Sequence, residues 1–218
     1  MAYVRLRTDI AATSSQAWPP TNKVIAMNPP ASPRVAMSSV EMLRSQARNH
    51  IEQGAVTAGY SADRQQVLKL LNDALATELV CVLRYRRHHF MARGIYAKGV
   101  ADEFLLHSNE EQGHADLLAG RIVQLGGEPD FSPDSLSGRS HAEYVAAGSL
   151  LEMIKEDLVA ERIAIDSYRE LIQYLSDDDP TTSQLLKQIL AVEEEHADEL
   201  ADLLETLPIR PWTPHAND

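Results

Sequence analysis

Six residues in this sequence have the types and spacing to bind metal ions: Glu78, Glu111, His114, Glu161, Glu193 and His196. Oxygen and nitrogen donors without a thiolate suit iron or manganese, with zinc as a competitor. Two of the glutamates open a Glu-x-x-His pattern, at Glu111–His114 and Glu193–His196. With eight histidines and seventeen glutamates in 218 residues, chance alone supplies ~0.6 copies of that pattern, so a single copy carries little weight. Here there are two, in matching contexts: EQGHADLLA from Glu111 and EEEHADELA from Glu193. Glu78 precedes Glu111 by 33 residues, and Glu161 precedes Glu193 by 32. The two halves of the chain therefore repeat one arrangement of donors.

The elements that must position these donors are helices. Four long helical patterns run from about 62 to 93, 98 to 125, 149 to 176 and 179 or 180 to 206. A helix in a bundle buries positions alternately three and four apart. On the first helix that stripe reads Leu68, Leu71, Leu75, Glu78, Val82, Tyr85, His89, and on the second Phe104, His107, Glu111, His114, Leu118, Ile122, Leu125. On the third it reads Ile154, Leu158, Glu161, Ile165, Tyr168, Ile172, and on the fourth Leu186, Ile189, Glu193, His196, Leu200, Leu203. Each stripe is largely apolar and carries a glutamate near its middle. Burying one unpaired charge is costly, and four carboxylates at one level repel each other and raise their own pKa values. No lysine or arginine lies on these stripes to neutralise them. Two divalent ions do so, and two neutral imidazoles complete the shell.

The connections set the topology. The first and second helices are separated by a short break at Gly94, the third and fourth by one near Ser176, so each pair forms an antiparallel hairpin. Gly126-Gly127 stops the second helix. The link from 126 to 148 is long enough to return the chain along the bundle. Ser149 and Glu152 form a capping box at the start of the third helix. The expected fold is all-α: a four-helix bundle over 61–207, two antiparallel hairpins joined by one long crossover. Residues 1–60 read as an extended arm, interrupted by Pro19, Pro20, Pro29, Pro30 and Pro33, with a short helix between 38 and 53. Residues 208–218 read as an extended proline-rich tail.

Charge is unevenly spread. The net charge is −12, but residues 1–50 carry +4 and the remainder −16. An acidic body suits a protein that handles cations and fits poorly with general nucleic-acid binding. The basic arm leaves a weak role with DNA open. Cys81 is the sole cysteine, which excludes an internal disulfide or a cysteine-rich metal site and points to a reducing cytoplasm. Neither a signal-peptide pattern nor a membrane-spanning run is evident in the sequence.

From about residue 65 to 206 the chain resembles bacterioferritin and related ferritin-like proteins, whose ligand set is two glutamates plus two Glu-x-x-His pairs. The stretch LNDALATELVCVLRY, Leu71 to Tyr85, is similar to that family's first-helix motif. The resemblance implies two iron ions per subunit. Glu78 and Glu161 would be terminal carboxylates, Glu111 and Glu193 would bridge, and His114 and His196 would each cap one ion. It implies a catalytic role for Tyr85, which matches a family tyrosine near the centre, as an electron donor. It also implies ferroxidase activity, the oxidation of Fe(II) by O2 or H2O2, and storage of ferric mineral in a homo-oligomeric shell. In bacterioferritin a methionine follows the bridging glutamate of the second helix and binds haem between subunits; Gln112 stands there in this sequence, so haem is not expected. The family's inner-surface histidine falls at Leu106, although His107 is adjacent. A short fifth helix that completes 24-subunit shells is not evident in the tail, which leaves room for a twelve-subunit, Dps-like shell or a smaller assembly. The usual Dps centre lies between subunits, whereas this ligand set closes within one chain.

Plainer readings apply to several residues. His107 is first a packed or solvated histidine, although it could pass iron inward. Tyr85 and Tyr168 are first packed aromatics with bonded hydroxyls. The run Arg84, Arg86, Arg87, His88, His89 could be a subunit contact or a phosphate site but reads first as mostly a solvated face, Asp177–Asp179 as turn and helix-start residues, and Cys81 as a small buried apolar residue. Two alternative functions remain: a non-storing di-iron oxidase or peroxidase, and a DNA-protecting assembly that uses the basic arm.

Overall fold

The computed structural model describes residues 37–95 and 97–206; the expected arm over residues 1–36 and the tail after residue 206 lie outside them. Among the described residues there are six helices and no strand: α1 (Val40–Gln46), α2 (Arg64–Met91), α3 (Ala97–Gln124), α4 (Pro133–Arg139), α5 (Leu150–Leu175) and α6 (Pro180–Thr206). The four long helices form the expected bundle. α2 pairs with α3 and α5 with α6, and the link from α3 to α5 is the single crossover.

Local chemistry sets the helix ends. The Asp63 side chain accepts from the backbone N–H groups of Gln65 and Gln66 at the start of α2. Ser149 and Glu152 cap α5 reciprocally, as the sequence predicts. At the end of α3, Gly126 takes φ +76°, and the N–H groups of Gly126 and Gly127 return to the carbonyls of Val123 and Ile122. That left-handed turn favours glycine and closes the helix as a Schellman motif. The stretch 38–53 is not one helix. α1 stops at Gln46, and His50 at φ 52° separates it from a single 3₁₀ turn at Ile51–Gln53. α4 is an addition inside the crossover, with Pro133 in its first turn after Ser132.

The core is split by the polar layer. One cluster, including Leu71, Leu75, Leu118, Ile122, Leu186 and Ile189, fills one end of the bundle. A second, including Phe104, Met153, Ile154 and Leu200, fills the other. Leu68, Val82, Leu158, Ile172 and Leu203 of the expected stripes are only partly buried.

Two buried ion pairs fasten the ends. Arg121 of α3 bonds Asp179 at 2.8 Å and Thr182 at 2.7 Å, while Tyr60 donates to the same Asp179 at 2.9 Å. At the other end Arg84 and His88 are buried, which corrects the reading of that basic run as a solvated face. The 3.6-residue period carries the buried face from Tyr85 to His88 rather than His89. The Arg84 guanidinium donates to Asp157 of α5 at 2.9 Å and to the Glu143 carbonyl at 2.8 Å. His88 lies 2.8 Å from Asp157 and 3.1 Å from the Val145 carbonyl. Asp157 thus ties α2 and the end of the crossover to α5. Asp157→Ala, which leaves that guanidinium buried and unpaired, is expected to destabilise the chelated protein by about 3 kcal/mol in denaturant unfolding. A change near zero would refute the pinning role.

Candidate metal centre

The structure brings all six predicted donors together between the four long helices, at the level where the two apolar clusters meet. Glu78, Glu111, Glu161, Glu193 and His196 are each no more than 1 % exposed, and His114 is 6 % exposed. They are donated one helix at a time: Glu78 by α2, Glu111 and His114 by α3, Glu161 by α5, Glu193 and His196 by α6. Three residues is just under one helical turn, so each Glu-x-x-His pair projects from one helix face.

Two sets of four donors can be drawn, and they overlap. Glu78, Glu111, His114 and Glu193 form one; Glu111, Glu161, Glu193 and His196 form the other, with the donor atoms of each set within 4.8 Å of one another. His114 Nδ1 lies 2.9 Å from Glu193 Oε1 and 3.3 Å from Glu111 Oε2. His196 Nδ1 lies 3.5 Å from Glu111 Oε1 and 3.8 Å from Glu193 Oε2. Each of these two carboxylates therefore turns one oxygen toward each histidine. Donors bonded to a shared ion at about 2.1 Å lie about 3 Å apart, so these separations are those of a coordination shell.

Unpaired atoms make the same point. Glu111 Oε1, Glu161 Oε2, both oxygens of Glu193 and Nδ1 of His196 have no hydrogen-bond partner although they are buried. A buried polar atom without a partner is costly, and such atoms are rare. Here they face a common space, and the residues fit two divalent ions.

Protein groups alone can share this space only by holding protons. Burial, helped by the Glu111 charge, pushes the carboxyls of Glu78 and Glu193 far above the ordinary range. Burial raises Glu161 to about 7. Burial also works against Glu111, but the close approach of Glu78, His114 and His196 outweighs it and holds that carboxyl low. Burial would lower His196, yet Glu111 and the neighbouring carboxylates raise it to about 9. His114 is raised well above its usual value against the pull of burial by Glu111, Glu193 and Glu78.

A second layer orients the donors. Tyr85 of α2 donates to Glu161 of α5, and Tyr168 of α5 donates to Glu78 of α2. Each tyrosine sits seven residues after the glutamate of its own helix, so the repeat extends to both. The spacing Glu161 to Tyr168 offered that signal for Tyr168. Glu110, which the sequence did not single out, lies 2.9 Å from His196 Nε2. It fixes the ring so that Nδ1 faces the carboxylates. Cys81 is buried beside this layer, and burial pushes its thiol up, so it stays protonated.

Residues 68–209 match the profile of the ferritin-like domain. The chain belongs to the ferritin family. Among ferritin relatives, the bacterioferritin of Mycobacterium avium is 30% identical over 143 residues, covering 65% of this chain and 86% of that protein. The solved bacterioferritin-related protein from Bacteroides fragilis, described as a dodecameric thioferritin, superposes with a TM-score of 0.64 at 31% identity. That match covers 66% of this chain and 88% of the other. The ferritin-like, diiron-carboxylate protein from Bacillus anthracis gives a TM-score of 0.59 at 28% identity, covering 66% and 99% of the two chains. Among the described residues no helix is long and apolar enough to cross a membrane.

Proposed function

We propose that this chain is an iron-storage ferroxidase: it binds two Fe(II) ions at the six-residue centre, oxidises them with O2 or H2O2, and holds the ferric product in a homo-oligomeric shell. One observation carries the reading: Glu111 and Glu193 stand between two histidines, buried and with oxygens left unpaired, each turned toward both halves of the site. Two Fe(II) ions held side by side supply two electrons to one oxidant, taking O2 to the level of H2O2 or H2O2 to water.

The chain's own residues set the terms of that exchange. Four carboxylates balance the charge of two dications and favour the higher charge that follows oxidation. His114 and His196 present Nδ1 as neutral donors, the second steered by Glu110. The hydroxyls of Tyr85 and Tyr168 hold Glu161 and Glu78 in place, leaving Glu161 Oε2 unpaired and Glu78 Oε2 turned to His114 Nδ1 at 3.5 Å. Tyr85 is also close enough to serve as a local electron source, the catalytic role assigned to it here. The surrounding apolar clusters keep bulk water out, which strengthens each charge interaction. The acidic body draws cations in, an effect that salt weakens.

The kinship with a dodecameric thioferritin and with a bacterioferritin supports a shell. The test is iron content together with native mass. Protein purified after aerobic Fe(II) loading is expected to run as a dodecamer or larger and to hold iron well beyond two ions per chain. A monomer or dimer that stops at two ions would instead make it a non-storing di-iron oxidase.

A further inference from the structure

We propose a third divalent-cation site on the solvent side of the centre, formed by Glu103 and His107 of α3 and Glu199 of α6. It takes its purpose from the Fe(II)-oxidising reading above, as the position through which cations are supplied, but its existence does not depend on that reading.

The donors are assembled. One ligand atom from each of Glu103, His107 and Glu199 lies within 4.8 Å of the others. His107 Nε2 lies 2.9 Å from Glu199 Oε2 and 3.5 Å from Glu103 Oε1. These are the separations seen among the donors of the centre itself. The His107 side chain is fully buried, whereas those of Glu103 and Glu199 are 31% and 41% exposed. The imidazole therefore forms the floor of the cluster and the two carboxylates form its open rim. Two oxygens and one imidazole nitrogen, with solvent completing the shell, suit Fe(II), Mn(II) or Zn(II).

The position leads somewhere. The His107 ring stacks on that of His196 with centroids 4.0 Å apart and planes at 21°. It also meets the edge of Tyr85 at 5.2 Å. His107, Glu161 and His196 form a further donor group with ligand atoms within 4.8 Å of each other. An unbroken series of donors thus runs from the exposed carboxylates, through His107, to the ligands of the centre. Nδ1 of His107 is buried without any hydrogen-bond partner, so the ring is not held by a closed protein network.

The internal repeat supplies the control. Aligning Glu111–His114 with Glu193–His196 places Glu103 opposite Leu185, His107 opposite Ile189 and Glu199 opposite Leu117. All three counterparts are apolar, and Ile189 is 1 % exposed in the core. The bundle is therefore satisfied by a plain aliphatic at the position His107 occupies, and packing does not call for the polar trio. It is present in one half only, beside one of the two ion positions.

The experiment uses the full chain and Zn(II), which binds such donors without redox change. Zinc-soaked crystals of the native protein are expected to show, at the zinc absorption edge, an anomalous peak about 2.1 Å from His107 Nε2. The peak should vanish in the Glu103→Gln, Glu199→Gln double variant, whose changes lie at the exposed rim and leave the core intact. In equilibrium dialysis the native chain should retain one more Zn(II) than that variant. Absence of the peak would mean that an ion pair alone holds the trio and overturns the proposal. So would a peak with equal zinc retention, since binding would then occur at crystal concentration only. Peaks between Glu111 and Glu193 report separately on the di-metal reading: their absence beside a third peak would sink that reading and leave this site standing.

Discussion

Replacing Glu111 and Glu193 together by alanine is expected to slow Fe(II) oxidation by on the order of 10³-fold while the helices remain folded. Loss of a group that merely orients a ligand already costs on the order of ten- to a hundredfold in metal affinity or activity. Here both carboxylates that face both histidines would go, and neither ion would keep more than two of its donors. Folding should survive because the same change removes mutual repulsion: these two side chains contribute unpaired oxygens to an apolar interior. Stopped-flow absorbance of the ferric product measures the first effect, and circular dichroism of the chelated protein measures the second. Oxidation at the native rate would remove both residues from the proposed centre.

Chelation should convert the centre from a clamp into a liability that grows with pH. Glu78, Glu161, Glu193, His114 and His196 all hold protons more tightly in the folded chain than their ordinary values allow; Glu111 alone runs the other way. The folded state thus binds more protons than the unfolded one, and stability falls as pH rises. For His196 the favourable contribution is complete below its ordinary value of 6.5 and is lost as pH passes about 9. For Glu161 the folded chain loses ground from 4.5 upward until the carboxyl ionises at about 7. Divalent ions reverse this, because they bind the deprotonated donors and gain affinity as protons leave. The difference in unfolding free energy between Zn(II)-loaded and chelated protein, read from denaturant titrations, should widen steadily from about pH 5 to about pH 8, by more than about 1 kcal/mol per titrating group. A gap that narrows over that range would show that the six donors do not exchange protons for metal.

How much of this was legible in the sequence follows from where each interaction lies. A glutamate in the middle of an apolar stripe is an anomaly that a single helix displays, and four of them at matching spacings point to the centre from sequence alone. The crossover and the hairpins followed from glycine positions and connection lengths. What stayed hidden were pairings between helices. Arg84 reads as solvent-facing until Asp157, on another helix and 73 residues away, is seen beneath it. Glu110 and Glu199 are ordinary helix-surface acids by local pattern, and only the packing of α3 against α6 brings them to His196 and His107. α4 did carry a signal, Ser132-Pro133 as cap and first-turn residue, inside a stretch otherwise without apolar periodicity.

The doubled architecture has a last consequence. One hairpin bearing a glutamate, a tyrosine seven residues on and a Glu-x-x-His pair contains half of everything the centre uses. Two separate, identical hairpins meeting about a dyad would close the same cavity, so the crossover is not needed for the cavity's chemistry. Covalent linkage provides independence of the halves instead. In a symmetric pair, any residue placed at one mouth must appear at the other. In a fused chain one mouth can be lined with Glu103, His107 and Glu199 while its twin carries only the apolar Leu185, Ile189 and Leu117. Traffic through such a molecule acquires a direction.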